Sequence, residues 1–416
     1  MAATPLRCKS MTPSTTLNKK LAAPDATAKK KTLIAACTAH ATHDGLSDLV
    51  YVLLPVWQEM FMLSYVWLSV LRSAYALTLA ALQIPASSLS GRMKPAYVLS
   101  IATAMTGLGW LAAGFTGSAL ALGAALVFAG MGASAQHPIA SAMVSRAYTG
   151  NAKRPLGVYN FAGDIGKSLL PASAAFLLTF TTFHVTATVF AIVGLLAAVL
   201  IWALLKDVPT HIETEPRASA SRPVETVVNG SSGAFRVLLC TAVLDSAVRM
   251  GLLTFLPFII KGNGGSLPQA GLALTLVFIG GAVGKFACGW MSDRFGTLNT
   301  IIVTELATAL LIAVVLVSPL PVGLAALPFL GAVLNGTSSV LYGAVTDVVE
   351  STRLEKAFSV FYTGTIGSGA LAPVLYGFAG DHAGVTSAAM IVVATAALSV
   401  VPVWLYALRH PGTFND

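Results

Sequence analysis

Twelve stretches of about twenty residues, rich in Leu, Ala, Val, Ile and Phe, follow one another along the chain with short polar breaks between them. Their apolar positions do not alternate with polar ones, so strands are not predicted. Runs of this length are those of helices that cross a bilayer. The first six fall near 33–57, 66–90, 96–115, 118–138, 155–180 and 183–205. The second six fall near 235–260, 269–291, 298–318, 322–346, 357–380 and 384–408. Between the two sets, residues 206–234 carry Pro209, Pro216, Pro223, Ser, Gly and several acids, the composition of a flexible connector.

The predicted organisation is therefore a basic tail (1–31), a six-helix bundle (32–205), a linker (206–234), a second six-helix bundle (235–408) and a short tail (409–416). Composition agrees with it. Only 10% of the 416 residues are charged and 56% are hydrophobic, with mean hydropathy +0.77. A water-soluble domain carries about 25% charged residues. The net charge of +8 is dispersed rather than gathered on a motif, which argues against nucleic acid. The four cysteines lie far apart without a C-x-x-C pair, so neither a disulfide framework nor a zinc site is predicted. No cofactor is expected beyond a proton gradient as the energy source, and no metal.

Orientation follows from Lys and Arg. With the N-terminus inside, twenty of them fall on the inner side and Lys261 alone on the outer side. Four (Arg72, Lys167, Arg249 and Lys285) lie within spans. Both termini are thus expected in the cytoplasm. The N-terminal tail lacks the apolar core of a cleaved leader.

Shifting the chain by 202 residues superposes Leu54-Pro55 on Leu256-Pro257, Arg92 on Arg294, and Leu169-x-Pro171 on Leu371-x-Pro373. Three matches at one offset, in equivalent spans, predict a duplicated six-span unit. The loop after span 8 reads Gly289-Trp-Met-Ser-Asp293-Arg294-Phe-Gly296. This resembles the G-x-x-x-D-R-x-G signature of the major facilitator superfamily. The first-half copy has Gly91 where the Asp would stand, ahead of Arg92.

Within that superfamily the chain resembles the bacterial fosmidomycin-resistance efflux branch. The residues that carry this are His40-x-x-x-Asp44, Leu82-Gln83, His137-Pro138 and the span from Asn160 to Pro171. The resemblance implies an all-α membrane protein of twelve helices in two pseudo-symmetric bundles. It also implies proton-coupled export of a small compound, of the antibiotic-resistance type, from a monomer in the bacterial inner membrane.

Polar residues within spans are costly and usually face a cavity or a partner. In span 1, His40, Asp44, Ser47, Asp48 and Tyr51 share one helical face, with His43 just off it. His40, Asp44, Asp48 and Asp164 are candidates for proton coupling. Alternatively, His40 and Asp44 only hold helices together. In span 5, Asn160, Asp164 and Lys167 recur at i, i+4 and i+7, and Asp164 can pair with Lys167 inside the helix.

Span 7 brings Asp245 and Arg249, which can pair with each other, and span 8 brings Lys285. Ser47, Tyr51, Asn160, Lys167, Asp245, Arg249 and Lys285 are candidate substrate ligands. The two cations, Arg249 and Lys285, suit a phosphonate or carboxylate. Arg72, Arg92, His137, Asp293 and Arg294 are candidate gate residues. In-span charge is counted as four acids (Asp44, Asp48, Asp164, Asp245) against the four bases.

Uptake of an organic nutrient or of a transition metal, hinted at by His40-x-x-His43 and scattered methionines, is the alternative. A membrane enzyme is disfavoured, since no nucleophile elbow, H-E-x-x-H or P-loop occurs.

Overall fold

The computed structural model describes residues 25–89, 92–149, 151–208, 232–349 and 354–410. Most of the tail 1–31, the centre of the linker 206–234 and the end of the tail 409–416 lie outside the described residues. Gly91 of the first-half loop lies outside them too.

Every regular element among the described residues is helical. The first half contains α1 (Ala26–Phe61), α2 (Tyr65–Leu89), α3 (Pro95–Gly114), α4 (Ala119–Ala133), α5 (Gln136–Ala147), α6 (Lys153–Leu177) and α7 (Phe183–Leu205). The second contains α8 (Ser232–Gly262), α9 (Leu267–Phe295), α10 (Thr297–Val317), α11 (Leu320–Val348) and α12 (Leu354–Arg409).

Nine helices among the described residues are long and apolar enough to cross a membrane, with α4 and α5 together making one of them. Two more, α1 and α6, have the length but carry the polar stripes. The twelfth span is the second arm of α12, which turns at Gly384 with φ 82°. A side chain is strained at that backbone angle, which is why the corner falls on glycine.

The fourth span differs from the sequence expectation. Instead of one helix ending near residue 138, α4 stops at Ala133 and α5 restarts at Gln136. Pro138 lacks the N–H that a continuous helix needs, and it is tolerated in the first turn of a new one. His137 therefore opens a helix rather than closing a span.

Within the first half α1 packs on α6 and α3 on α7. Within the second, α8 packs on α12 and α9 on α11. The halves meet where α6 lies on α9 and α2 lies on α12. These two contacts exchange under the 202-residue shift, as a parallel duplication requires.

Glycines set the closest approach. A Cβ on Gly166 would stand 2.0 Å from the Ala41 carbonyl, and one on Gly163 would stand 2.6 Å from His40 Nε2. Small residues let α6 reach the backbone of α1, and Lys167 reaches α1 with it.

Candidate functional site

The polar stripe of α1 is drawn into the protein by α5 and α6. Asp44 is 5% exposed and lies among four basic side chains. His40 Nε2 stands 3.2 Å from Oδ2, and Lys167 Nζ stands 3.1 Å from the same oxygen. His137 Nε2 is 3.5 Å and His43 Nε2 3.7 Å from Oδ1.

The His40 ring is fixed at its other nitrogen, because Nδ1 donates to the Tyr159 carbonyl at 2.8 Å and the ring stacks on Tyr159. With Nδ1 committed as a donor, the contact of Nε2 with a carboxylate calls for a second proton between them. The cluster thus gathers one carboxylate, three imidazoles and an ammonium in contact. His40, Asp44 and His137 also bring one ligand atom each within 4.8 Å of one another, a spacing a divalent cation could use.

The intrahelical Asp164–Lys167 pair expected from spacing is not formed. Lys167 reaches back to Asp44, and Asp164 receives Lys285 Nζ from α9 at 2.9 and 3.1 Å. Residues three apart on α6 diverge enough for each to meet a different helix. The Asp245–Arg249 pair is also absent among the described residues. Asp245 instead accepts from Ser338 Oγ at 2.7 Å. Among the described residues Arg249 makes no ion pair, and its buried Nε has no hydrogen-bond partner.

Between the halves lies a cavity of about 390 Å³ lined by Asp48, Tyr51, Asp164, Lys167, Asp245, Arg249 and Lys285, with Asn335, Tyr342 and Tyr362. A second, of about 330 Å³, shares Asp48, Tyr51 and Arg249 with it and extends to Ser47, Arg72 and Tyr75. Ser47 Oγ and Tyr75 Oη are 2.7 Å apart. Asn160 is exposed and lines neither cavity, so the structure does not bring it to the site.

The face opposite the termini is closed by contacts between halves. Arg72, 7% exposed, donates to the Gly369 carbonyl and, at 3.1 Å, to Tyr51 Oη. Ser73 donates to the Ala370 carbonyl. Beyond them, Asp381 accepts from the amides of Tyr65 (2.6 Å) and Val66 (3.1 Å), and Lys261 pairs with Glu59 at 2.5 Å. On the side of the termini, Asp293 and Arg294 line a separate cleft with Asp347, and Arg92 is exposed.

Several of these groups escaped the sequence reading. Glu59 and Asp381 sit at helix ends, where charge is unremarkable, and Lys261 entered only the orientation count. Glu305 is a fifth in-span acid, 1% exposed on α10, and should have joined the charge count as a lone carboxylate in an apolar run.

No curated protein matches the chain in sequence. Among solved structures, a bacterial homologue of the human lysosomal transporter Spinster is similar in its inward-facing, occupied form. The TM-score is 0.72 at 15% identity, covering 92% of this chain and 98% of that one. Its inward-facing, unoccupied form gives 0.66 at 17% identity, covering 92% and 96%. A mutant peptide transporter of the POT type in complex with sulfate gives 0.73 at 14% identity, covering 93% and 96%.

These likenesses show the fold. The family model described as Major Facilitator Superfamily matches residues 36–262 and again 238–415. With its duplicated six-span halves and a polar cavity between them, the chain is a transporter rather than an enzyme, and it belongs to the major facilitator superfamily.

Proposed function

We propose that this chain exports a small organic anion in exchange for protons, moving by alternating access in a bacterial inner membrane with its termini in the cytoplasm. Arg249 carries the reading. It lines both cavities, makes no ion pair among the described residues, and leaves a buried Nε–H without an acceptor. A guanidinium so placed is a natural seat for a carboxylate or phosphonate, which it can grip with two parallel bonds.

Lys285 and Lys167, each held by a carboxylate, are exchangeable partners at the same cavity. Protons would load at Asp44 with His40, and Lys167 would be released towards Asp48 or Asp164 as they do. Tyr51, Tyr342 and Tyr362 supply apolar faces with polar tips, suiting an amphiphilic anion. Export, rather than uptake, rests on the resemblance to the fosmidomycin-resistance branch.

A panel of phosphonates, carboxylates and lipophilic cations in a thermal-shift assay tests the substrate class. Anions should raise the melting temperature and the Arg249→Ala protein should lose that rise. Binding at a hundred times Kd stabilises by about 2.7 kcal/mol, a readily visible shift. Stabilisation by cations alone would sink the proposal.

The three ligand atoms of His40, Asp44 and His137 within 4.8 Å favour one competing reading, uptake of a transition metal. Under it, Ni²⁺ or Zn²⁺ would stabilise the wild type and fail to stabilise His40→Ala combined with His137→Ala.

A further inference from the structure

Glu305 has no place in the transport cycle sketched above, yet it is the most deeply buried carboxylate among the described residues, at 1% exposure. It stands midway along α10, in a run of Ile, Val, Leu, Ala and Thr. Among the described residues, no donor meets either of its oxygens in hydrogen-bond geometry. On the same face, one turn later, the Thr308 hydroxyl is equally buried and equally without a partner.

The groups against Glu305 come from two helices. Asp245 of α8, 3% exposed, and Ser399 of α12 both come within interaction range of its carboxyl group, where α10 meets these two helices. Asp245 is held by the Ser338 hydroxyl of α11, has Arg249 one turn away on its own helix, and shares the central cavity with Lys285 of α9.

Two carboxylates side by side, both largely removed from solvent and neither in an ion pair among the described residues, resist carrying charge at the same time. Desolvation and mutual repulsion each oppose it. One proton held between them removes a charge, supplies the donor that Glu305 lacks, and needs no added volume.

From this geometry we infer that Asp245 and Glu305 share one proton, forming a second proton-binding site in the C-terminal half, separate from the Asp44 cluster. Asp245 is its door, since it also lines the cavity. The shared proton spreads the one remaining negative charge over both carboxylates, which weakens the pull of Asp245 on Arg249, one turn along its own helix. When the proton leaves through Asp245 into the cavity, the carboxylate that remains competes with any anion seated on Arg249. Release of proton and anion are thereby linked. This last step rests on the anion reading of Arg249, whereas the shared proton does not.

Infrared spectra of the purified protein near neutral pH test the shared proton directly. The carbonyl stretch of a protonated carboxyl group should be present, shift in D₂O, and lose intensity in both Glu305→Gln and Asp245→Asn. Glutamine has the shape of the protonated acid, and if that variant does not fold, Asp245→Asn gives the same reading. Asp44→Asn should leave this intensity in place.

An unchanged band in the Glu305 and Asp245 variants, or no such band in the wild type, overturns the inference. In a second arm, methylphosphonate should stabilise the wild type less as pH rises, while Asp245→Asn should hold its stabilisation across the range. If the band behaves as expected but this arm fails, the anion reading falls and the proton site stands.

Discussion

Lys261 and Glu59 meet at 2.5 Å across the two halves, and they are 202 residues apart, the offset of the internal repeat. The pair therefore joins a position in the first half to its own counterpart in the second. Equivalent positions meet where a pseudo-two-fold axis leaves the protein, so this contact marks the axis on the face opposite the termini.

Because both side chains are substantially exposed, the ion pair itself contributes little, below about 1 kcal/mol. Its geometry is more informative than its energy. Cysteines at both positions should crosslink under mild oxidant and stop transport, and reductant should restore it. Either cysteine alone should transport normally. Full activity of the oxidised, crosslinked protein would show that this face does not open.

Asp44 and Lys167 should behave as a unit. Asp44→Asn leaves an ammonium without its counter-charge, and Lys167→Met leaves the carboxylate to the imidazoles alone. Each single change should lower the melting temperature by several degrees. The double variant should recover most of that loss, since removing both charges is far milder than removing one. Proton-driven flux should stay lost in all three. Additive destabilisation in the double variant would break the proposed pairing.

Arg249→Lys separates charge from shape. A lysine keeps the charge but loses the planar fork, so affinity for a phosphonate should fall at least about tenfold, the loss of roughly one good charge-assisted bond. Lipophilic cations should be unaffected. Equal binding by both proteins, measured by calorimetry in detergent, would remove Arg249 from the substrate site.

Gly166→Ala tests the glycine seam between α1 and α6. The added methyl would sit 2.0 Å from a carbonyl oxygen that cannot swing away, so the helices must part. A loss of about 1–3 kcal/mol is expected, with Lys167 drawn off Asp44 and coupled flux falling alongside. Gly157→Ala, where a methyl meets nothing within 4 Å, should be neutral or slightly stabilising. Comparing the two melting curves checks the claim.

Much of this was legible in the amino-acid sequence. Span count and duplication are written as long apolar runs and a constant offset, both local features. The stripe from His40 to Tyr51 faces the interior because helical spacing puts it on one side and lipid excludes it. Pairing was not legible. Asp164 and Lys167 have the spacing of a partner pair, yet each meets another helix, and only the packing of α6 between α1 and α9 decides that. The same holds for Asp245, one of whose oxygens accepts from Ser338. His137 looked like a span end because Pro138 follows it, whereas the break before α5 turns its ring onto Asp44. Glu305 was visible as a lone acid in an apolar run, but its neighbour Asp245 is sixty residues away in sequence and beside it in space.

The carboxylate of Asp381 holds the first two amides of α2, although it belongs to the opposite half. A helix start always has bare N–H groups seeking an acceptor. Here the acceptor comes from the other half, so any separation of the halves on this face must give up these two bonds, at a surface where water can replace them. The closed face is therefore latched by a helix start in one half and a carboxylate in the other, a fastening that water is able to replace.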